Sequence, residues 1–560
     1  MTEKTIETKG FSAEVADYFR NCFVFDLKAG FITSVVALPL AIAFAVASGV
    51  SPIMGLYTAV IAGFLGSLFG GSVYSITGPT GAMTVVVLST LNKFGLEGLL
   101  LAGFLAGAFQ IGLGVIKLGK LIKFIPVPLV SGFTAGIGII IFAGQVPNAL
   151  GLKIPAQEHI WNTFIEVIKQ GSYINVYAIA IALGTFIMLR YGPKFFSRIR
   201  FLKSVPPSVI ALLFFTGLVY FASLPVPQIG DLPAGLPSFS LLKFNLELVQ
   251  NILPAAMTIA LLGVIESLLC AVVCDGMTNT RHDSDKELIA QGICNVTLPF
   301  FGGIPATGAV ARSAVNIREG AKTRYAGVIH ALFILIIILF VAPEAKYIPS
   351  AFLAGVLMNV SIRMINVQEM KTIRKISRAE TTVLIITLGL TVLTDLVFAV
   401  QVGMILAIGL IFIKLSKLVD ISRMEEYDQH AGINERIYSD PLLKDRVAVY
   451  TLHGPLFFGA MNLFDQKVSE HIDNKRQILI LRMKHVPLID STAITRLNTF
   501  IHSRTTQGYT IYITGVNAEV KRRLVNDEEF QVLMKQHHIF HHTNEALDHI
   551  RTELEKEKQA

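Results

Sequence analysis

Gly70-Gly71-Ser-Val-Tyr-Ser-Ile-Thr-Gly-Pro-Thr80-Gly81-Ala82-Met83 and Gly302-Gly303-Ile-Pro-Ala-Thr307-Gly308-Ala309-Val310 are the two stretches on which the fold turns. Each begins with a Gly-Gly pair, passes a proline and contains Thr-Gly-Ala. Each opens a short apolar run, the first to about Leu91 and the second to about Ile317. About 20 apolar residues cross a bilayer core, so both runs are too short for a full span. Paired, interrupted apolar segments in corresponding halves of a chain point to an inverted repeat with a ligand site at the break.

Two half-helices of this kind aim their N-termini at one another near mid-membrane. The first turn of a helix carries amides without intrahelical partners and about half a positive charge, so two facing starts make an anion site without a cationic side chain. Glycine lets the backbone approach a ligand, and threonine hydroxyls add donors. The candidate substrate-binding residues are Thr80, Gly81 and Ala82 on one side and Thr307, Gly308, Ala311 and Arg312 on the other. The competing reading treats both stretches as ordinary loops between complete helices. Arg312 lies one turn into the second short helix, where an arginine is costly unless it meets a cavity or a partner. It either supplies fixed charge to the anion, pairs with a carboxylate, or snorkels to an interface. Glu266, in Leu261-Leu-Gly-Val-Ile-Glu-Ser-Leu-Leu-Cys270, is a second intramembrane charge. It is the candidate coupling-ion residue, able to take up and release a proton or bind a cation; otherwise it pairs with Arg312 as a structural lock.

The surroundings are membrane-like. Of 560 residues 52% are hydrophobic and only 16% charged, against about 25% charged in soluble domains, and mean hydropathy is +0.59. Long apolar runs, among them Phe31–Val50, Leu99–Ile116, Val205–Leu224 and Ile252–Val273, recur up to about residue 420. The first 25 residues are polar and carry no cleavable signal pattern. The net charge of +8 sits in alternate loops: Lys117, Lys120 and Lys123; Arg190, Lys194, Arg198, Arg200 and Lys203; Arg318, Lys322 and Arg324; Arg363, Lys371, Arg374, Lys375 and Arg378. That is the positive-inside pattern. It places both chain ends in the cytoplasm and removes nucleic acid as an explanation for the basic excess. The four cysteines, Cys22, Cys270, Cys274 and Cys294, form no CxxC pair, so neither a disulfide nor a metal framework is expected. Asp275–Glu287 contains His282, Asp283 and Asp285, but Ser284-Asp-Lys-Glu287 reads better as a capping box starting the next helix. No metal and no cofactor is expected.

Beyond residue 420 the character changes. Residues 446–453, 477–483 and 509–514 read as strands, with helical patterns at Ala460–Ile472 and Thr492–Thr505 between them. This gives a small α/β domain without a catalytic constellation. The domain reading is a cytoplasmic N-terminal segment at 1–25, a transmembrane domain at 26–420, a linker at 421–436 and a soluble domain at 437–552.

Several motifs carry a family resemblance over nearly the whole chain. They are Ala37-Leu-Pro-Leu-Ala-Ile-Ala-Phe44 through Pro52 with Gly55-Leu-Tyr57, Glu266-Ser-Leu-Leu-Cys-Ala-Val-Val-Cys-Asp275, Thr280-Arg-His-Asp283, Glu287-Leu-Ile-Ala-Gln-Gly292 and Ala311-Arg-Ser-Ala-Val-Asn316. Pro455-Leu-Phe-Phe458 and Leu488-Ile-Asp490-Ser-Thr492 add looser matches in the soluble part. The chain resembles the sulfate permease family, anion transporters with a C-terminal STAS domain. The resemblance implies an all-α polytopic membrane domain of about 14 segments in a seven-plus-seven inverted repeat with two half-helices, joined to a small α/β STAS domain. It also implies a homodimer, an elevator-like motion of a core past a gate, Phe44 lining the pocket, and Glu266 at the coupling-carboxylate position. Leu40 stands where many members have Gln, as in sodium-coupled bicarbonate members, but Glu266 replaces their Asp and Cys270 their hydroxyl. A thiol is a poor sodium ligand, which favours protons over sodium. The run from Glu266 to Asn316 looks like the family's bacterial C4-dicarboxylate transporter, so sulfate, bicarbonate and C4-dicarboxylate all stay open as the small-anion substrate. Ser491 and Thr492 match a hydroxyl position that is phosphorylated in some STAS domains, although a helix N-cap is the role their local sequence favours. The expectation is a secondary carrier in the bacterial inner membrane, proton-coupled, and not an enzyme. An anion channel or exchanger of the same fold, or a signalling protein centred on STAS binding to a cytosolic partner, are the alternatives.

Overall fold

The structure is a computed structural model. It describes residues 18–119, 126–155, 157, 160–196, 198, 205–230, 235–242, 246–394, 396–417, 419–423, 436–458 and 476–559. The helix expected at 460–472, most of the expected linker, and Lys120, Lys123, Arg200 and Lys203 lie outside the described residues. The chain divides into two compact units, Met1–Ile405 and Leu406–Ala560.

The first unit is helical. Its elements are α1 (Phe23–Ala47), α2 (Pro52–Phe69), β1 (Thr77–Gly78), α3 (Gly81–Val115), α4 (Val127–Gly144), α5 (Val176–Phe196), α6 (Pro207–Phe221), α7 (Leu246–Thr278), α8 (Ser284–Thr297), β2 (Thr307–Gly308), α9 (Val310–Arg318), α10 (Tyr325–Val341), α11 (Ser350–Met364), α12 (Arg378–Leu393) and α13 (Leu396–Lys417), the last running into the second unit. Among the described residues seven helices are long and apolar enough to cross a membrane, and 207–221, 325–340 and 401–416 are shorter apolar helices. α3 is two helices joined at Gly95, whose φ of 69° is open to glycine and strained for other residues. With α3 counted twice, α1 to α13 supply the fourteen segments expected, and two further ten-residue helices, Ile160–Lys169 and Val367–Ile376, stand outside that count.

Both broken segments have the expected form. After α2 and a bend at residues 71–74 the chain becomes extended up to Thr80, before the first half of α3, and after α8 a short 3-10 turn (Leu298–Phe301) and a left-handed Gly302 lead into the extended piece that ends at Ala309, before the nine-residue α9. The extended pieces meet as a two-stranded antiparallel pair, Thr77 opposite Gly308 and Gly78 opposite Thr307. A break in one half of the chain therefore satisfies the backbone of the break in the other, which is how non-helical backbone survives at membrane depth. Small residues make the surrounding packing tight. A Cβ at Gly107 would stand 2.7 Å from the Gly292 carbonyl oxygen, and one at Gly292 2.6 Å from that of Gly107, so α3 and α8 touch through their backbones.

The second unit holds a five-stranded sheet in the order β3 (Asp420–Arg423), β4 (Val447–His453), β5 (Ile478–His485), β6 (Thr510–Thr514) and β7 (Ile539–Phe540). β3 is antiparallel to β4, and the other pairs are parallel. Helices α14 (Ser491–Thr506), α15 (Ala518–Leu524) and α16 (Glu528–Lys535) cover one face, through Leu497, Ile501, Val520, Leu524 and Phe530. α17 (Thr543–Gln559) covers the other, through Leu547, Ile550 and Leu554. Burial on both faces explains why β5 reads as a continuous apolar run. One boundary needs correction: residues 421–423, assigned above to the linker, form part of strand β3, because pairing to β4 satisfies their backbone.

Candidate functional site

The site is built where β1 and β2 hand over to their half-helices. Thr80 is the residue before the first helical turn of α3, yet its hydroxyl makes no cap bond to the helix. It donates instead to Glu266 Oε2 at 2.7 Å. Thr307, in β2, donates to the same oxygen at 2.7 Å, and the two hydroxyl oxygens stand 3.0 Å apart. One carboxylate oxygen of α7 thus gathers a threonine from each broken segment. Ser267, the next residue, accepts from the Gly308 amide at 3.0 Å and fixes β2 against α7. Leading amides of a helix have no carbonyl partner within it; here they belong to Gly81, Ala82 and Met83 in α3 and to Val310, Ala311 and Arg312 in α9. Val310 and Ala311, at the start of α9, are exposed.

Phe44 and Gly81 lie side by side. A Cβ at Gly81 would stand 3.3 Å from Phe44 Cε1, 3.3 Å from Met364 Sδ and 3.4 Å from Ile141 Cδ1. Three apolar side chains from α1, α11 and α4 therefore lie over that glycine. Ile141 sits in a plain apolar run and Met364 beside Arg363 at a helix end, and neither carries a sequence signal. Gly308 is placed differently. A Cβ there would meet Cys270 Cβ at 3.0 Å and Ser267 Cα at 3.1 Å, so its bareness serves strand-to-helix packing.

Arg312 is 1% exposed. Its Nη2 donates to the Pro79 carbonyl at 2.8 Å, and a Cβ at Gly78 would come within 2.2 Å of Nη1. The guanidinium of one half-helix is thus tucked beneath the strand that leads to the other. Glu266 and Arg312 do not bond each other among the described contacts; the carboxylate holds hydroxyls and the guanidinium holds a carbonyl. Cys270, one turn after Glu266, lies 3.2 Å from Ser313 Oγ and 3.5 Å from Ser75 Oγ, behind the strands.

Sequence reasoning missed the support beneath the site. On one face of α8, at spacings of four, stand Glu287, Gln291 and Asn295. Glu287 Oε2 accepts from the Gly71 and Ser72 amides at 2.9 and 3.0 Å. Gln291 Nε2 donates to Thr77 Oγ1 at 2.8 Å. Asn295 accepts from the Ala306 amide at 2.8 Å and donates back to its carbonyl at 3.0 Å. One polar stripe therefore holds both extended segments. This also corrects the capping box: Asp283 caps α8, accepting from the Asp285 and Lys286 amides, and Glu287 is turned away to the glycine pair. A polar i, i+4, i+8 stripe inside an apolar setting was the available signal. His282 bonds Asp275 Oδ2 at 2.7 Å and Ser284 Oγ at 2.9 Å, an arrangement local to the α7–α8 turn. In the second unit Asp490, not Ser491 or Thr492, caps α14, accepting from the Ala493 amide at 2.8 Å. Ser491 and Thr492 are exposed in its first turn.

Residues 23–387, which hold every part of this site, match the sulfate permease family. The chain belongs to that family. Residues 440–546 match the STAS domain. Among curated relatives, "Putative sulfate transporter YvdB" of Bacillus subtilis is 38% identical over 538 residues, covering 95% of this chain and 99% of the relative. The bicarbonate transporter BicA of Picosynechococcus is 33% identical over 524 residues, covering 90% and 91%. The solved transmembrane domain of a cyanobacterial BicA superposes with a TM-score of 0.62 at 34% identity, covering 70% of this chain and 98% of that one. The murine Slc26a9 anion transporter in its inward-facing state gives a TM-score of 0.85 over 99% of this chain and 96% of its own; at 19% identity this speaks for the fold alone. As a member of a permease family with a polytopic membrane unit, the chain is a transporter and not an enzyme.

Proposed function

We propose that this sulfate permease family member is a secondary active transporter that carries a small anion into the cell together with a proton. The observation that carries this reading is Glu266 Oε2 accepting from both Thr80 and Thr307 at 2.7 Å. An ionised carboxylate in that position consumes the two hydroxyl donors and itself supplies the negative charge that the two helix starts attract. An external anion then competes with it for donors and for field. A proton on Glu266 removes the charge and turns Oε2 from acceptor into donor, so a threonine hydroxyl is released towards the anion. Proton and anion therefore favour each other's binding, and the coupling is reciprocal. Anion affinity falls as pH rises through the titration of Glu266. The proton also answers the membrane potential, which opposes each inward negative charge by about 2.3 kcal/mol per 100 mV.

In this reading the anion sits against Thr80, Gly81, Ala82, Thr307 and Ala311, with Phe44 closing its apolar side. Arg312 contributes charge from behind the strand and Gly308 sets the strand's position. Helices α1–α3 and α7–α10 move as the carrying body past α4–α6 and α11–α13, so that Gly81 leaves Ile141 and Met364. The relatives' names point to compact oxyanions, sulfate or bicarbonate, and the resemblance of residues 266–316 adds C4-dicarboxylates. The protein stands in the bacterial inner membrane as a homodimer with both ends in the cytoplasm. Its STAS unit meets a cytosolic protein, and Ser491 or Thr492 takes a phosphoryl group that phosphopeptide mapping would locate.

The test is uptake into proteoliposomes of sulfate, bicarbonate, succinate and fumarate, with proton and sodium gradients imposed separately. An inward proton gradient drives accumulation of one of these anions; Glu266→Gln keeps anion binding, loses its pH dependence and abolishes the accumulation. Accumulation at the wild-type level in Glu266→Gln, or driven by sodium alone, refutes proton coupling at this residue.

A further inference from the structure

A cavity of about 310 Å³ shares no lining residue with the anion site. It opens between α6, which contributes Leu212, Leu213, Thr216 and Tyr220, and the α1 and α10 side chains Leu38 and Ile337. A sealed apolar cavity of about 150 Å³ holds a benzene ring, so this one takes a substantially larger apolar guest. Its walls pass directly into lipid-facing surface: Leu213 is 69% exposed and Phe221, just beyond, 86%.

Two features say what kind of guest. Thr216 Oγ1 is buried and has no hydrogen-bond partner. Thr84, Thr90 and Thr258 bond the carbonyl four residues back, while Thr33, Thr185 and Thr387 share the unpaired state of Thr216 but do not line this cavity. Thr216 lines the cavity, and its unpaired hydroxyl can turn to an acceptor that enters. At the cavity's end stand Tyr220 and Tyr347, ring centroids 4.9 Å apart, with Glu344 on the rim and Lys346 Nζ 5.1 Å above the Tyr347 ring. Paired tyrosines and charges mark a membrane–water interface. Glu344 and Lys346 present opposite charges two residues apart.

We infer that the cavity between α6, α1 and α10 binds one acyl chain of a zwitterionic, ammonium-bearing phospholipid. The tail lies along Leu212, Leu213, Leu38 and Ile337, the ester carbonyl accepts from Thr216, the phosphate meets Lys346 and the ammonium meets Glu344. From Tyr220 to Leu212 is about 12 Å along the helix, at about 1.5 Å per residue, which suits an upper acyl segment.

The test uses the full chain in phospholipid nanodiscs carrying traces of a phosphatidylethanolamine with a diazirine in its tail, and peptide mass spectrometry after photolysis. Peptides covering 207–221 and 337–348 take label at least about fivefold above the lipid-facing 176–196 peptide, a preference worth about 1 kcal/mol. Gly217→Trp fills the cavity and removes the preference. A Cβ there meets nothing nearer than Phe221 Cε2 at 4.0 Å, so the variant has room to fold, which elution as a single species checks. Thr216→Val, nearly the same shape, lowers the preference about threefold. Labelling no higher than the control peptide, or unchanged by Gly217→Trp, overturns the site. Equal labelling by phosphatidylglycerol or by a free fatty acid with the same tail overturns the head-group assignment.

Discussion

The two broken segments share a motif and use it differently. At the first, helix α3 starts directly after Thr80, and its opening glycine is roofed by Phe44, Ile141 and Met364. At the second, Thr307 and Gly308 are still strand, helix α9 starts two residues later, and its first two residues are exposed. Strand pairing shows why. The partners of Thr307-Gly308 are Thr77-Gly78, not Thr80-Gly81, so the Thr-Gly-Ala strings that look alike in sequence stand three residues out of step in space. An antiparallel pair about a pseudo-two-fold axis needs matched strands, whereas each helix start is free to take the residues its own side requires. Symmetry here governs the backbone, and function lies in the departures from it.

Substitutions that treat the two segments unequally test this contrast. Arg312→Ala has the largest effect: it leaves the Pro79 carbonyl unmet and a hole beneath Gly78, and lowers stability by about 3 kcal/mol. Thermal unfolding of the purified protein reads this, and an unchanged melting temperature sinks the buried-lock account of Arg312. Gly308→Ala comes next, costing about 1–3 kcal/mol through overpacking against Cys270 and Ser267. Gly81→Ala meets only side chains at 3.3–3.4 Å and changes anion affinity more than melting temperature. If the two glycine variants behave alike in both assays, the asymmetry is wrong. Thr80→Val and Thr307→Val each remove one donor from Glu266 and from the anion, weakening anion binding about tenfold, or about 1.4 kcal/mol. Isothermal titration at two pH values should find the pH dependence of affinity reduced in both.

The smallest effect lies in the STAS unit, which serves as the contrast. Burial holds the His538 imidazole below its ordinary value. The unfolded chain then binds this proton more readily than the folded one, so stability rises with pH. The His538 contribution is complete above the ordinary histidine range and is lost as pH falls through it towards the lowered folded value. His538→Gln should therefore flatten the decline in melting temperature between about pH 7 and pH 5. A slope as steep as wild type removes His538 as its source.

Much of this was legible in the sequence because the governing constraints are local. Apolar length, Gly-Pro breaks and the Glu266 charge reveal themselves without knowledge of neighbours, and the fourteen-segment architecture followed. What escaped were pairings between distant segments. Nothing in Glu287 says that it will leave its own helix start for the amides of Gly71 and Ser72, more than 200 residues away. A capping box is the local solution, but Asp283 already meets the amides of that turn, which frees the glutamate. Met364 and Ile141 are equally silent, since an apolar residue beside a binding site has the same composition as one facing lipid. The register of the extended pair is silent too: whether Thr77-Gly78 or Thr80-Gly81 faces Thr307-Gly308 is decided by hydrogen bonding between the segments and not by their letters.

Strand β3 carries a practical consequence for anyone who wishes to study the cytoplasmic portion alone. Its four residues arrive just after α13 and zip against Tyr450–His453, so a fragment begun at residue 437 would lose the outermost ribbon of its sheet. Bare amides and carbonyls along β4 would then invite a neighbouring molecule to take the missing place. Fragments begun ahead of Val419 should stay monodisperse, and shorter ones should self-associate.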